Sequence, residues 1–168
     1  MAAYPPGGTY FDGKKSFTEV PIESSKGNGI ATGAFLDASE VLVALFDVLG
    51  SVAFKPVKGD LQGNIKDWSG LGLDFTAQAL RRNIDAPSEE LSSSFREAYG
   101  TTLKPHHSFL VKPIFSAAMG ATPYRKDFYA KLGDDQTVVN KELNTWVAAL
   151  EERLAILKQF LSSKEAKY

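Results

Sequence analysis

From Phe35 to Leu161 the apolar residues of this chain recur at helical spacing, and strand alternation is missing throughout. The first segment runs through Phe35, Leu36, Val41, Leu42, Leu45, Phe46 and Leu49, with Thr32 as its expected N-cap and Gly50 as the left-handed residue that ends it. A second stripe holds Phe54, Val57, Leu61 and Ile65, with Pro56 tolerated in its first turn. Leu73, Ala77 and Leu80, flanked by Phe75 and Ala79, read as a third helix ending near Asn83. Leu91, Phe95, Ala98 and Tyr99 then make a short helix that stops at Gly100. The most apolar helix is expected over Leu103–Met119, kinked at Pro113, which removes one backbone bond. Pro123 opens another short helix, with Tyr124, Phe128 and Leu132 on one stripe. A long amphipathic helix closes the chain through Val139, Leu143, Trp146, Leu150, Leu154, Leu157 and Leu161. The pattern predicts an all-α domain over residues 30–168, with about seven helices and short antiparallel connections.

Residues 1–29 break this pattern. Pro5-Pro6-Gly7-Gly8, Gly13, Pro21 and Gly27-Asn28-Gly29 read as an extended arm with room for one short helical turn. Two apparent nucleotide motifs in the arm fail on chemistry. Gly8 to Lys15 approaches a phosphate-binding loop, but Lys15 stands where a magnesium-ligating hydroxyl belongs, and no strand precedes it. Gly27-x-Gly29 lacks the third glycine of a dinucleotide fingerprint.

At 168 residues the chain can bury a core without disulfides or metal. It has no cysteine, which excludes a disulfide framework, a thiolate zinc site and a thiol nucleophile. A net charge of −1 supplies no basic field for nucleic acid. The N-terminus lacks the basic and apolar regions of a signal peptide, and no apolar run approaches the roughly 20 residues that span a bilayer. A cytoplasmic location is therefore expected.

Catalysis finds little support. His106 and His107 are adjacent, so on a helix they point about 100° apart and cannot share an ion as an i, i+4 pair does. Asp134-Asp135 and Glu151-Glu152 read as solvated faces, and no Gly-x-Ser-x-Gly elbow exists. An enzyme using His107 as a general base would lack a visible nucleophile or metal partner. No cofactor is expected.

Binding is better supported. Asp60 and Asn64 lie one turn apart on a polar face and could be joined in space by Lys66, Trp68 and His107. Carboxylate and amide groups match the hydroxyls of a sugar, and a tryptophan face packs on a pyranose ring. The plainer alternative, which composition and spacing alone favour, makes Asp60 and Asn64 surface polars and Trp68 a core residue. Likewise Phe46, Phe54, Phe75, Phe115 and Phe128, five of 11 phenylalanines, could line a shared cavity or fill an ordinary aromatic core.

Several runs in order, however, resemble the glycolipid transfer protein family, and in particular its fungal heterokaryon-incompatibility type. They are Thr32-Gly33-Ala34-Phe35-Leu36, Leu45-Phe46-Asp47-Val48-Leu49-Gly50-Ser51 and Val57-Lys58-Gly59-Asp60-Leu61-Gln62-Gly63-Asn64-Ile65. Further on come His107 with Val111-Lys112-Pro113-Ile114-Phe115, Ala121-Thr122-Pro123-Tyr124-Arg125-Lys126-Asp127-Phe128, and the terminal helix. The resemblance implies an all-α two-layer sandwich that carries glycosphingolipids between membranes without cofactor or covalent chemistry; transient contact with the membrane surface, a monomer rather than an oligomer, and no metal are expected. It implies that Asp60 and Asn64 bond the sugar and the ceramide amide region, that Trp68 stacks on the sugar, and that His107 bonds the ceramide carbonyl. By the same resemblance Lys66 stands near the family's recognition lysine, and Tyr168 sits where the C-terminus closes over the site. Phe46, Leu49, Phe54, Val57, Phe75, Ala79, Phe115 and Phe128 fall at positions lining the lipid chamber.

The chain departs from the family between Asn64 and Gly72, where about forty residues are missing, a large part of a domain this size. Lys66 comes two residues after Asn64 rather than three, turned about 100° from the expected direction. Gly70 and Gly72 would each cost about 1 kcal/mol against alanine in a helix. Loss of that much of a two-layer bundle is expected to uncover apolar surface. The alternative function is therefore a transfer-deficient module for lipid sensing or protein interaction.

Overall fold

The computed structural model describes residues 4–23, 25, 27, 29–50, 52–66 and 70–163, apart from the side chains of Asn64 and Lys66. Seven α-helices lie among the described residues: α1 Thr32–Gly50, α2 Lys55–Lys66, α3 Leu71–Asp85, α4 Leu91–Thr101, α5 Val111–Gly120, α6 Arg125–Leu132 and α7 Gln136–Ser162. A 3-10 turn at Phe17–Glu19 and an antiparallel pair of two-residue strands, β1 Ile22–Glu23 and β2 Gly29–Ile30, precede them. The architecture is an all-α two-layer sandwich. Helix α3 packs on α2, α4 and α7; α1 reaches α2 and α6; and α5 rests on α4 and α2.

The apolar periodicity accounts for most of these elements. Helix α1 buries Phe35, Ala38, Leu42, Leu45, Phe46 and Leu49 on one face, and Gly50 ends it at a positive φ of 131°. Its first bond runs from Phe35 N to Ala31 O (3.0 Å), so Ala31 rather than Thr32 holds the cap position. Helix α7 starts where Asp135 accepts from the backbone N–H groups of Thr137 and Val138, at 2.9 and 3.2 Å.

Several further expectations are corrected. The helix expected from Leu103 begins only at Val111. Residues 102–110 form a series of turns instead, in which the N–H groups of His106 and His107 both donate to Leu103 O. Pro113 is thereby the third residue of α5, where the backbone N–H has no intrahelical partner to lose, and no kink is required. Gly70, weighed above as a helix residue, instead lies before α3 at φ 68°, and its carbonyl accepts the N–H of Asp74. A Cβ there would come within 3.2 Å of Leu157 on α7.

The segment before α1 is packed against the helices. Phe17 and Val20 are buried, and the Phe17 ring meets Trp146 of α7 and Phe35 of α1. Tyr10 donates its hydroxyl to Val41 O, and the Arg153 guanidinium, itself buried, donates to Val20 O at 2.9 Å.

Nor do α2 and α3 show the apolar surface expected from the missing residues. The large exposed apolar side chains among the described residues are Val52, Phe109, Leu110, Ile114, Tyr124, Phe160 and Leu161, none of them on α2 or α3.

Candidate functional site

Helix α2 carries Asp60, and the turns between α4 and α5 carry His107. Leu103, buried, pins those turns to the core, and the bond from His107 N to Leu103 O sets the direction in which the imidazole leaves the chain. The result brings His107 Nε2 to 3.5 Å from Asp60 Oδ1, a polar contact longer than a full hydrogen bond. The His107 side chain is 10% exposed and that of Asp60 28%, so the pair sits at the edge of the core, half withdrawn from water.

The other side of His107 is aromatic. Its ring meets the Phe115 ring edge-on at 4.4 Å between centroids. Tyr99 of α4 stacks on Phe115 at 5.3 Å, and its hydroxyl lies 3.2 Å from His107 Nδ1. Burial first, and then the charge of Asp60, push the Tyr99 phenol above its ordinary pKa of 10.0, so it keeps its proton. Behind Tyr99 the rings continue inward through Phe75, Phe95, Phe54 and Phe46, each within 6.4 Å of the next. His106 faces solvent, so the two adjacent histidines diverge as their spacing suggests.

Of the residues singled out in the sequence, Asp60 and His107 thus meet at the mouth of an aromatic interior. Asn64 and Lys66 follow Asp60 on α2, with their side chains outside the described residues; Trp68 and Tyr168 lie outside them altogether. Phe46, Leu49, Phe54, Val57, Phe75, Ala79, Phe115 and Phe128 are all buried. Phe46, Phe54 and Phe75 belong to the ring network around Phe95. Phe128 of α6 has its ring against Tyr129 of the same helix, at 5.6 Å. As packed, the rings of Phe46, Phe54 and Phe75 meet around Phe95 in the manner of a filled core.

Tyr99 was visible in the sequence only as an apolar-face residue of α4. Its eight-residue separation from His107 carries no helical register, because α4 ends at Thr101 and the turns at 102–110 set their meeting. Among the described residues no group of three or more histidines or carboxylates is placed to hold a metal ion. No helix of the described residues is long and apolar enough to cross a membrane.

A family model described as "Glycolipid transfer protein (GLTP)" matches residues 30–71 and 68–134, more than half of the chain. The chain belongs to the glycolipid transfer protein family. Members of that family are lipid transfer proteins, not enzymes. A "Glycolipid transfer protein" of Aureobasidium melanogenum is 54% identical over 204 aligned positions, covering 100% of both chains. A crystal structure of HET-C2, a fungal glycolipid transfer protein, superposes with a TM-score of 0.89 at 48% identity, over 95% of this chain and 100% of that one. The human "Pleckstrin homology domain-containing family A member 8" is 29% identical across 81% of this chain, which spans only 35% of that protein.

The glycolipid transfer family match also locates the shortened middle. Since 204 aligned positions face a chain of 168 residues, at least 36 positions of the Aureobasidium relative have no counterpart here. The two pieces of the family match meet at residues 68–71, where the sequence pattern also breaks.

Proposed function

We propose that this protein binds glycosphingolipids and carries them between membranes by non-covalent exchange. The observation that carries this reading is the placement of Asp60 and His107 together, polar and partly exposed, with the His107 ring directly against the buried rings of Phe115 and Tyr99. Such an arrangement suits a ligand with a polar head and hydrocarbon tails. Asp60 and Asn64 take the sugar and the amide region, with Lys66, Trp68 and Tyr168 completing the head-group site, and His107 takes the ceramide carbonyl. The tails part the rings of Phe46, Phe54, Phe75 and Phe115. Ring-to-ring contacts are exchanged for ring-to-alkyl contacts, a small loss against about 0.8 kcal/mol for each CH₂ removed from water. Leu49, Val57 and Ala79 complete the chamber wall, with Phe128 behind α1.

Membrane contact falls to the start of α5. Phe109 (80% exposed), Leu110 (66%) and Ile114 (48%) form an apolar edge within a few residues of His107. An apolar edge there touches the bilayer while the doorway stays close to the lipid being exchanged. The protein works as a monomer from the cytoplasm, without cofactor or metal.

One observation favours a second reading, a lipid-sensing or protein-interaction module without transfer: at least 36 positions of the Aureobasidium relative have no counterpart. Transfer of labelled galactosylceramide or glucosylceramide between vesicles separates the two. Transfer well above the spontaneous rate is expected; none from a well-folded chain would select the second reading.

A further inference from the structure

We propose that Tyr99 is a positioning residue that fixes the tautomer of His107, so that the imidazole presents Nε2–H at the doorway. The inference rests on the reading of Asp60 and His107 as the ligand doorway, and it adds a residue with a distinct task.

A neutral imidazole has one nitrogen that donates and one that accepts, and its surroundings decide which is which. Nε2 faces Asp60 Oδ1 at 3.5 Å. A bare lone pair there would oppose a carboxylate, so the proton belongs on Nε2. That leaves Nδ1 as the acceptor, and the group that faces it is the Tyr99 hydroxyl at 3.2 Å. Burial and the nearby Asp60 charge both keep that hydroxyl protonated, so it donates. Tyr99 also holds the ring mechanically. It stacks on Phe115 at 16° between planes, Phe115 abuts the imidazole at 4.4 Å, and Tyr99 itself leans on Phe75 of α3. Both contacts fix the orientation of the ring.

The consequence is selective. With Nε2–H outward, His107 offers a donor, and a ligand must bring an acceptor such as an acyl carbonyl. In the other tautomer the same nitrogen would accept, and a carbonyl oxygen would meet a lone pair. The side chain that decides between them sits on α4, one position removed from the ligand.

The test uses the full chain labelled with ¹⁵N in its histidines. Imidazole nitrogen shifts of His107 should show Nε2–H as the dominant neutral form, and Tyr99→Phe should move the population toward Nδ1–H while circular dichroism stays that of the parent. Transfer of galactosylceramide by the variant should fall about three- to tenfold, the size of one lost hydrogen bond. Preference for galactosylceramide over an ether-linked dialkyl galactosylglycerol, which has no carbonyl, should narrow with it. A dominant Nδ1–H form in the parent protein would overturn the proposal even if the variant failed to fold. So would an unchanged tautomer in a folded Tyr99→Phe. If the parent transfers no glycolipid yet shows the Nε2–H form, lost on substitution, the positioning role stands and the transfer reading falls.

Discussion

In the proposed function Asp60 is the residue on which the head-group site turns. Its side chain faces His107 and is 28% exposed, so on that reading it is open to both the histidine and a ligand. Asp60→Val removes both contacts while keeping a helix-compatible volume on the outer part of α2. Vesicle-to-vesicle transfer of galactosylceramide is expected to drop at least about tenfold, the worth of a hydrogen bond to a charged group, with far-ultraviolet circular dichroism unchanged. An unaltered transfer rate would remove Asp60 from the site. Gly70 shows a different kind of necessity. At φ 68° any side chain is strained, and here a Cβ would also press on Leu157. Gly70→Ala is expected to lower the urea midpoint by the equivalent of about 1–2 kcal/mol. In the sequence, Gly70 looked like a flaw in a helix, because its role depends on where α3 begins and on what α7 places opposite. That Asp60 and His107 could be joined in space was, by contrast, readable from the sequence, although they stand 47 positions apart.

At the scale of elements, long single-faced helices were readable and short connections were not. α1 and α7 follow directly from residues such as Leu42, Phe46, Leu143 and Leu150, all buried, whose spacing leaves one solution. The run from Leu103 to Met119 misleads because Phe109 and Leu110 look like core residues and are in fact exposed. Hydrophobicity without periodicity cannot separate a core helix from a surface edge. Pro113 tests the corrected boundary. In the third position of α5 it removes no helical bond, so Pro113→Ala is expected to change the unfolding free energy by less than about 1 kcal/mol, where relief of a mid-helix proline would give about 3. The junction of α3 and α4 carries an electrostatic prediction. Glu89 accepts from Arg82 at 2.7 Å and from Ser94 at 2.9 Å, and the Arg82 bond leads in holding its carboxyl below the ordinary 4.5. A carboxyl lowered on folding stabilises above its unfolded pKa and ceases to do so as pH falls through the folded value. Parent and Glu89→Gln should therefore differ in thermal midpoint at pH 7, and converge as pH falls from 4.5 through the lowered folded value.

For the whole molecule, the question is how a two-layer sandwich tolerates so large a gap in its middle. The residues on either side of it supply an answer. α2 and α3 pack on each other; Val57 and Leu61 of the one and Leu73, Phe75 and Leu80 of the other are buried in the same cluster as the buried faces of α1, α4 and α7. The exposed apolar edge lies instead at the start of α5 and near the end of α7, where Phe160 is half exposed. A core that is continuous across the gap should unfold as one unit. Thermal unfolding followed by near- and far-ultraviolet circular dichroism is expected to give coincident single transitions, with the chain monomeric by light scattering. A groove left open by the missing residues would behave otherwise: it would bind a hydrophobic dye strongly at neutral pH, lose near-ultraviolet signal first and associate with concentration. Tail entry into the first kind of molecule requires the rings around Phe95 to part and close again, so bound galactosylceramide should raise the midpoint in proportion to the logarithm of its concentration. A midpoint indifferent to lipid, in a chain that unfolds cooperatively, would mean that the rings never open.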